Sequence, residues 1–520
     1  MIVLIGFMGA GKSTVGRMLG DELGLVFVDT DEVIEHAEGR TVQEIFEHEG
    51  EGQFRTLEKE AVTRSLGGPD AVVAVGGGAI HDPTTRAALE WHTVIHLDVT
   101  YPEAMRRVGQ DPGRPLLHFA DPKALFDERE PVYERVARHV IDTTGVAPEE
   151  AVSMIVASAV LRRVGGPAQI NVDLGPRSYP VLIGSDIARD MAELVDISGS
   201  QQVFVITHSH LAAAAKPLID SLGTSGADVS VLVVDEGEAS KGLGVAGDLL
   251  EELARRRAHR SDLVVTFGGG VVCDLGGFVA STYHRGLPVA HVPTTLLAQV
   301  DAAVGGKTAV NLRAGKNLVG TIHQPIAVVC DVSLLRSLPE EEIRSGLAEV
   351  IKYGLILDPS LPDIVMGKAS EVFDRDEDVL ALLVRRSVAI KAAVVSSDEK
   401  EEGRREILNY GHTFGHAIEH VTGMRHGEAI SLGMVAAAHL GVAVGMLGDD
   451  GVDRHRVPLE TVGLPTSVPV DIPRTLDALK QDKKHRGNLR FVLLEAIGSA
   501  RIGIEATDEQ ITAALRSVSG

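Results

Sequence analysis

Short apolar runs alternate with amphipathic stretches along most of this chain. "MIVLIG" opens it, a glycine loop follows, and "KSTVGRMLGDELG" then returns apolar residues at helical spacing before "LVFVDTD" resumes a strand pattern. "AVVAVGGG" and "TVIHLDV" add strands, so residues 1–160 predict a parallel sheet wrapped by helices. After "LRRVGGPAQ" the pattern restarts. "INVDLGPRSYPVLIG" reads as strand, turn and strand, and "QQVFVIT", "VSVLVVDE", "SDLVVTFGGG" and "LPVAHVPTT" carry β/α alternation to about residue 325. Beyond that, strand-like runs nearly vanish and helical patterns rich in Ala, Leu, Glu and Arg take over. The expected division is an α/β unit over 1–160, a Gly- and Pro-containing linker over 161–169, a second α/β unit over 170–325 and a helical domain over 326–520. No fixed-period repeat interrupts it.

Composition narrows the class. A length of 520 residues exceeds one ordinary core and fits about three domains. The net charge of −23 argues against nucleic acid and acidic membrane surfaces as partners, while leaving room for local basic pockets that hold small phosphorylated substrates. Two cysteines, Cys273 and Cys330, give no disulfide framework and suit a reducing cytoplasm. "MIVLIGFMG" lacks a basic leader and a cleavage site, so it reads as a buried strand and not a signal peptide. "ISLGMVAAAHLGVAVGML" (430–447) is long enough to span a bilayer, but its Ser431, His439 and many small residues predict a packed internal helix.

The first chemical signal is "GFMGAGKS", which fits G-x-x-x-x-G-K-[ST] at Gly6, Gly11, Lys12 and Ser13, between a predicted strand and a predicted helix. Backbone amides from Gly9 to Thr14 would wrap nucleotide phosphates, Lys12 would bridge the outer ones, and Ser13 would ligate Mg2+. "DTD" places Asp29 and Asp31 at the end of the next strand, one to support the magnesium shell and one to meet a phosphoryl acceptor. "GEGQFRTLE" supplies Arg55, "VGGGA" supplies the amides of Gly76, Gly77 and Gly78, and "GRPLL" and "REPVY" supply Arg114 and Arg129.

Taken in this order and spacing, these motifs resemble shikimate kinase over nearly all of residues 1–160. The resemblance implies that Asp31 accepts a proton from, or orients, the attacking hydroxyl of shikimate. It also implies that Arg55, Arg129 and the Gly76–Gly78 loop hold shikimate, that Arg114 lies on a lid, and that Arg107 lies by the adenine. Many arginines around an anionic acceptor agree with a reaction that depends on positioning and charge neutralisation. The segment "HFADPKALFDE" between Arg114 and Arg129 is short and acidic, a departure from the family pattern.

The second signal is "LVVTFGGGVVCDLGG". It is not G-x-G-x-x-G, but triple glycine between a strand and an apolar helix still admits a pyrophosphate close to the backbone. "DEGEASK" lies upstream; "HVPTTLLAQVDAAVGGKTAVN" and "GKNLVG" lie downstream. The series resembles 3-dehydroquinate synthase over essentially all of 170–520. By that resemblance Glu238, Lys241, Gly269, Val271, Asp274, Thr294, Thr295, Lys316 and Asn317 line the NAD site or its edge. Asp301 contacts both cofactor and substrate, and Arg285, Lys307, Lys391, Arg405 and Asn409 face the substrate, a heptulosonate phosphate. Lys352 belongs to the catalytic set, and one of Lys483 and Lys484 reaches the substrate, with Lys484 taken here. His208 after "VFVIT" departs from the Asp or Asn common there.

"LNYGHTFGHAIEHVTGMRHGE" (408–428) carries four histidines, of which His412, His416 and His420 share a helical face. Spacing alone makes His412 and His416 the metal pair. The resemblance implies instead that Glu349, His412 and His426 bind Zn2+ (or Co2+), that His416 sits by the substrate phosphate, and that His420 has no matching role.

The expected whole is a P-loop kinase parallel-sheet domain fused to a Rossmann-like NAD-binding α/β domain and an all-helical metal-binding domain. It would use ATP with Mg2+, NAD and Zn2+ or Co2+, work in the cytoplasm, and form a homodimer through 170–520. Alternatives for the second half are a related sugar-phosphate cyclase or a metal-dependent polyol dehydrogenase. The phosphate-directed set Lys307, Lys391, Arg405 and Asn409 weighs against the dehydrogenase, because a simple polyol leaves those charges without a counter-ion.

Overall fold

The structure is a computed structural model that describes residues 1–23, 25–66, 71–89, 92–109, 121–137, 139–157, 167–448, 450–486 and 489–520; side chains of 87 and of 481–486 are outside the description. Arg114, residues 161–166 of the expected linker and the side chains of Lys483 and Lys484 therefore lie outside it. The chain forms two compact units, Met1–Gly166 and Pro167–Gly520.

In the first unit five parallel strands, β1 (Ile2–Ile5), β2 (Val26–Asp29), β3 (Ala71–Ala74), β4 (Thr93–Asp98) and β5 (His139–Asp142), stand in the order β2-β3-β1-β4-β5. Central β1 and β3 are buried at every position, as their unbroken apolar runs require when helices cover both faces. The polar-alternating β5 lies at an edge, with Val140 exposed. β1 leads through the glycine loop into the helix Lys12–Leu23.

In the second unit the strands are β6 (Ala168–Val172), β7 (Tyr179–Gly184), β8 (Gln202–His208), β9 (Asp228–Val234), β10 (Leu263–Gly268), β11 (Val289–Pro293), β12 (Lys307–Leu312), β13 (Gly315–Ile322) and β14 (Ala327–Asp331). Seven form one sheet in the order β6-β7-β14-β11-β10-β8-β9, parallel except for the β6–β7 pair; β12 and β13 make a separate hairpin. β14 corrects the expected boundary near 325, since it lies past that point yet pairs between β7 and β11. Five residues buried on both faces carry no alternation, so a helical reading absorbs such a run.

The C-terminal region is mainly helical. It is not all-helical: β15 (Phe491–Ala496) and β16 (Ser499–Ile504) form a hairpin at its edge. One hydrophobic cluster runs from Val181, Val328 and Cys330 into helices Glu340–Ile356, Glu377–Ser397 and His426–Ala443, so sheet and helices share a core. The small residues of 430–447 have a packing purpose. A Cβ on Gly427 would lie 2.3 Å from Ser345 Cα, and one on Gly433 would lie 2.1 Å from Gly411 O. Among the described residues no helix is long and apolar enough to cross a membrane.

Candidate active sites

The first unit opens a cleft of about 820 Å³ lined by the loop Gly9–Thr14, by Asp29, Asp31, Arg55 and Glu58, by Gly76–Gly78, and by Arg107 and Arg129. Lys12 Nζ donates to Gly6 O at 2.8 Å, so its ammonium is held over the loop. Ser13 Oγ donates to Asp29 Oδ2 at 2.6 Å, while Asp29 Oδ1 accepts from the Asp31 amide at 3.1 Å. Asp29 thus pairs with Ser13 and caps the helix Thr30–Glu38, which sets Asp31 on its first turn. A hydroxyl and a carboxylate oxygen converging at the loop fit a magnesium ligand set.

The glycine loop after β3 is crowded by the other side chains expected here. A Cβ on Gly76 would meet Glu58 Oε1 at 2.4 Å and Asp31 Oδ1 at 3.1 Å; one on Gly78 would meet Arg55 Nη1 at 2.2 Å. Gly77 lies against Arg129 and Tyr133, whose hydroxyl donates to Gly77 O at 2.6 Å. Arg129 is 4% exposed, and its Nε has no hydrogen-bond partner among the described residues. Arg55 is held by Glu58 at 2.7 Å and Glu51 at 2.8 Å. Burial pushes the Glu58 carboxyl up even though Arg55 opposes the shift. Arg107 donates to Thr143 and reaches Gly9 O at 3.4 Å. Glu58 and Tyr133 were not singled out from sequence; the i, i+3 spacing of Arg55 and Glu58 was the available signal.

In the second unit Gly268–Gly270 close β10 and open the helix Gly270–Thr282, with Gly269 packed beside Thr295. Lys241 Nζ meets Asp274 Oδ2 and Asn317 Oδ1, each at 2.5 Å, and Glu238 accepts from Asn311 at 2.6 Å. Glu238, Lys241, Asp274 and Asn317 therefore converge around one glycine turn, with backbone free to approach a pyrophosphate. The set fits a dinucleotide. His208 is buried at the end of β8, its Nδ1 3.3 Å from Val234 O.

Asp301 sits in a π-helical turn, Ala298–Ala302, where Lys391 donates to its Oδ1 at 2.6 Å and the Tyr353 hydroxyl does so at 2.8 Å. Burial drives Lys391 below its ordinary range despite Asp301, whereas Lys391 and Lys352 overcome burial to hold Asp301 low. Arg405 is 2% exposed and donates to Glu399 O at 2.6 Å and Gly305 O at 3.1 Å. Lys307 pairs with Glu401, which also accepts from Asn409 at 2.8 Å. Glu401 was missed, and its positive φ of 61° marks a strained position. Arg285 is exposed, and among the described residues no hydrogen bond or ion pair joins it to this cluster.

Helix Glu340–Ile356 is buried almost all round, yet carries Glu349 and Lys352, which pair with each other at 0% and 1% exposure. Buried charges on a core helix need partners. Glu349 Oε1 is buried without a hydrogen bond, and His412 Nε2 and His426 Nε2 each stand 3.5 Å from it. Those gaps exceed a hydrogen bond and fit a divalent ion between the three donors. Burial pushes His412 down to about 3, so it is neutral and ready to donate a lone pair; burial opposes His426, but Glu349 and Glu419 raise it to about 9. Glu419 Oε2 is 3.2 Å from His426 Nδ1, and its other oxygen accepts from Lys316 at 2.6 Å. His416, itself exposed, lies by the same place, its ring 5.2 Å from His412 and 5.9 Å from His426; His420 is exposed as well.

Comparisons with known proteins divide the chain in the same way. Residues 8–159 match the family model for shikimate kinase, 231–345 that for the 3-dehydroquinate synthase N-terminal region, and 346–485 that for its C-terminal region. The 3-dehydroquinate synthase of Nocardia farcinica is 46% identical over 346 residues, covering 65% of this chain and 92% of that protein. That of Thermobifida fusca is also 46% identical, covering 66% and 94%. Among solved structures, a 2-deoxy-scyllo-inosose synthase complexed with carbaglucose-6-phosphate, NAD+ and Co2+ has a TM-score of 0.63 at 27% identity, over 68% of this chain and 100% of that one. With both clefts and these matches in hand, the chain belongs to the 3-dehydroquinate synthase family and carries a shikimate kinase domain ahead of the synthase.

Proposed function

We propose that the chain catalyses two separate steps: ATP-dependent 3-phosphorylation of shikimate in the first unit, and conversion of 3-deoxy-arabino-heptulosonate 7-phosphate to 3-dehydroquinate plus phosphate in the second. The carrying observation is the trio of buried Glu349 and half-buried His412 and His426 beside a lysine- and arginine-lined cluster, a metal grip joined to an anion pocket. When bound, ATP with Mg2+ supplies the phosphoryl group, Zn2+ or Co2+ polarises substrate oxygens, and NAD takes and returns a hydride.

The chain's own groups do the rest. In the first unit Lys12 steadies the outer phosphates, Ser13 and Asp29 hold the magnesium, and Asp31 takes or orients the proton of the attacking hydroxyl. Arg55 and Arg129 hold the acceptor's carboxylate and hydroxyls. In the second, Glu238, Lys241, Asp274 and Asn317 position the dinucleotide, and Lys307, Arg405, Asn409 and His416 receive the phosphate and hydroxyls. A phosphate entering there takes Lys307 and Asn409 over from Glu401. Lys391 and Lys352 keep Asp301 and Glu349 ionised beside the reacting carbons.

A related sugar-phosphate cyclase fits the fold, but identity to 3-dehydroquinate synthases and the attached kinase favour the heptulosonate substrate. We also propose a cytoplasmic homodimer formed through 170–520. The test is to assay the purified chain with each substrate, with and without a chelator. Turnover of both substrates, with chelator sensitivity of the cyclisation, supports the reading; inactivity toward the heptulosonate phosphate beside activity on another sugar phosphate overturns it.

A further inference from the structure

A second cluster of metal-type donors lies in the first unit. His96 and Asp98 stand two residues apart on β4, hence on one face of the strand. Glu130, on the helix Pro122–Val136, meets them from above the sheet. One donor atom from each lies within 4.8 Å of the others.

Two features separate this trio from an ordinary patch of surface charge. His96 is 1% exposed, and its Nδ1 is buried without a hydrogen-bond partner among the described residues. Its Nε2 points at Glu130 Oε1 across 3.7 Å, too far for a hydrogen bond. The synthase trio has gaps of similar width, both imidazoles standing 3.5 Å from Glu349 Oε1. Donors bound at about 2.1 Å to a tetrahedral ion stand roughly 3.4 Å apart. Both gaps therefore have the width of an ion.

We propose that His96, Asp98 and Glu130 form a second transition-metal site, which takes Zn2+, Co2+ or Mn2+. The imidazole sets it apart from the all-oxygen Mg2+ position at Ser13 and Asp29. A bound ion fastens the helix Pro122–Val136 to β4. That helix carries Arg129 immediately before Glu130, so the ion acts as a clasp on the wall that presents Arg129 to the cleft.

The test uses the full chain, stripped with chelator and titrated with Co2+, with visible absorption and elemental analysis giving the ions held per chain in excess Mg2+. Two ions are expected in the wild type, and one each in His96→Phe, Glu130→Gln and His426→Ala. His96→Phe keeps the ring stacked on Tyr133, and Glu130→Gln changes a half-buried residue; near-ultraviolet circular dichroism of Glu130→Gln confirms that loss of the ion is not loss of the fold. Synthase turnover is expected unchanged in both kinase-side variants. One ion in the wild type, or an unchanged count in folded Glu130→Gln, overturns the proposal.

Discussion

Glu419 shows how a role can depend on one contact. Its carboxylate lies 3.2 Å from His426 Nδ1, the ring position that leaves Nε2 aimed at Glu349. A carboxylate behind a ligating imidazole fixes the tautomer and ring angle, and its loss typically costs about 10–100-fold in metal affinity. Glu419→Gln should weaken metal binding to that extent in a competition titration against a metal buffer; unchanged affinity would mean that packing alone orients the ring. His426→Ala should lose the synthase-side ion, whereas His416→Ala should keep it and lose turnover. Spacing on the histidine helix pairs His412 with His416, whereas the roles proposed above pair His412 with His426. It shows which residues share a face and is silent on what the face meets. Gly423, at φ 70°, turns the chain so that His426 returns to His412, and Glu349 arrives from a helix distant in sequence.

At the scale of elements, the glycine loop after β3 and the helix Glu340–Ile356 impose the strictest demands. A methyl group on Gly76 would push the Glu58 carboxylate off Arg55 and crowd Asp31, so Gly76→Ala should raise the KM for shikimate at least tenfold and leave cyclisation unchanged. Kinetics on both substrates check this, and an unaltered KM would show that the loop can shift at no cost. Lys352 is the buried counter-ion of Glu349, and removing one partner of such a pair costs about 3–5 kcal/mol. Lys352→Ala should therefore lower the urea midpoint of the second unit as well as its turnover. Much of the element layout was legible, because β1 and β3 are unbroken apolar runs bounded by glycine. β14 was misplaced across a boundary for the same reason: a buried five-residue run looks alike in sheet and helix. The β15–β16 hairpin was missed, since its strands are short and the outer one is half exposed.

For the molecule as a whole, acid should act through buried histidines. Burial lowers His291 and His455 to about 4, each from an ordinary value near 6.5. Between those values the unfolded chain binds protons that the folded chain refuses, so stability is full above pH 6.5 and falls as pH drops towards 4. The loss is on the order of 3 kcal/mol for each histidine. Equilibrium unfolding from pH 7 to 4 should show this slope, and His455→Gln, which keeps an acceptor for the Tyr410 hydroxyl, should flatten it. An unchanged slope in that variant would assign the acid sensitivity elsewhere.

If the two active sites have separate requirements, a change in one should spare the other. The most direct measurement assays both reactions on Lys12→Ala and on His426→Ala in the full chain. A crossed result is expected: Lys12→Ala loses shikimate phosphorylation by several orders of magnitude and keeps cyclisation, and His426→Ala does the reverse. Loss of both activities in either folded variant would contradict it.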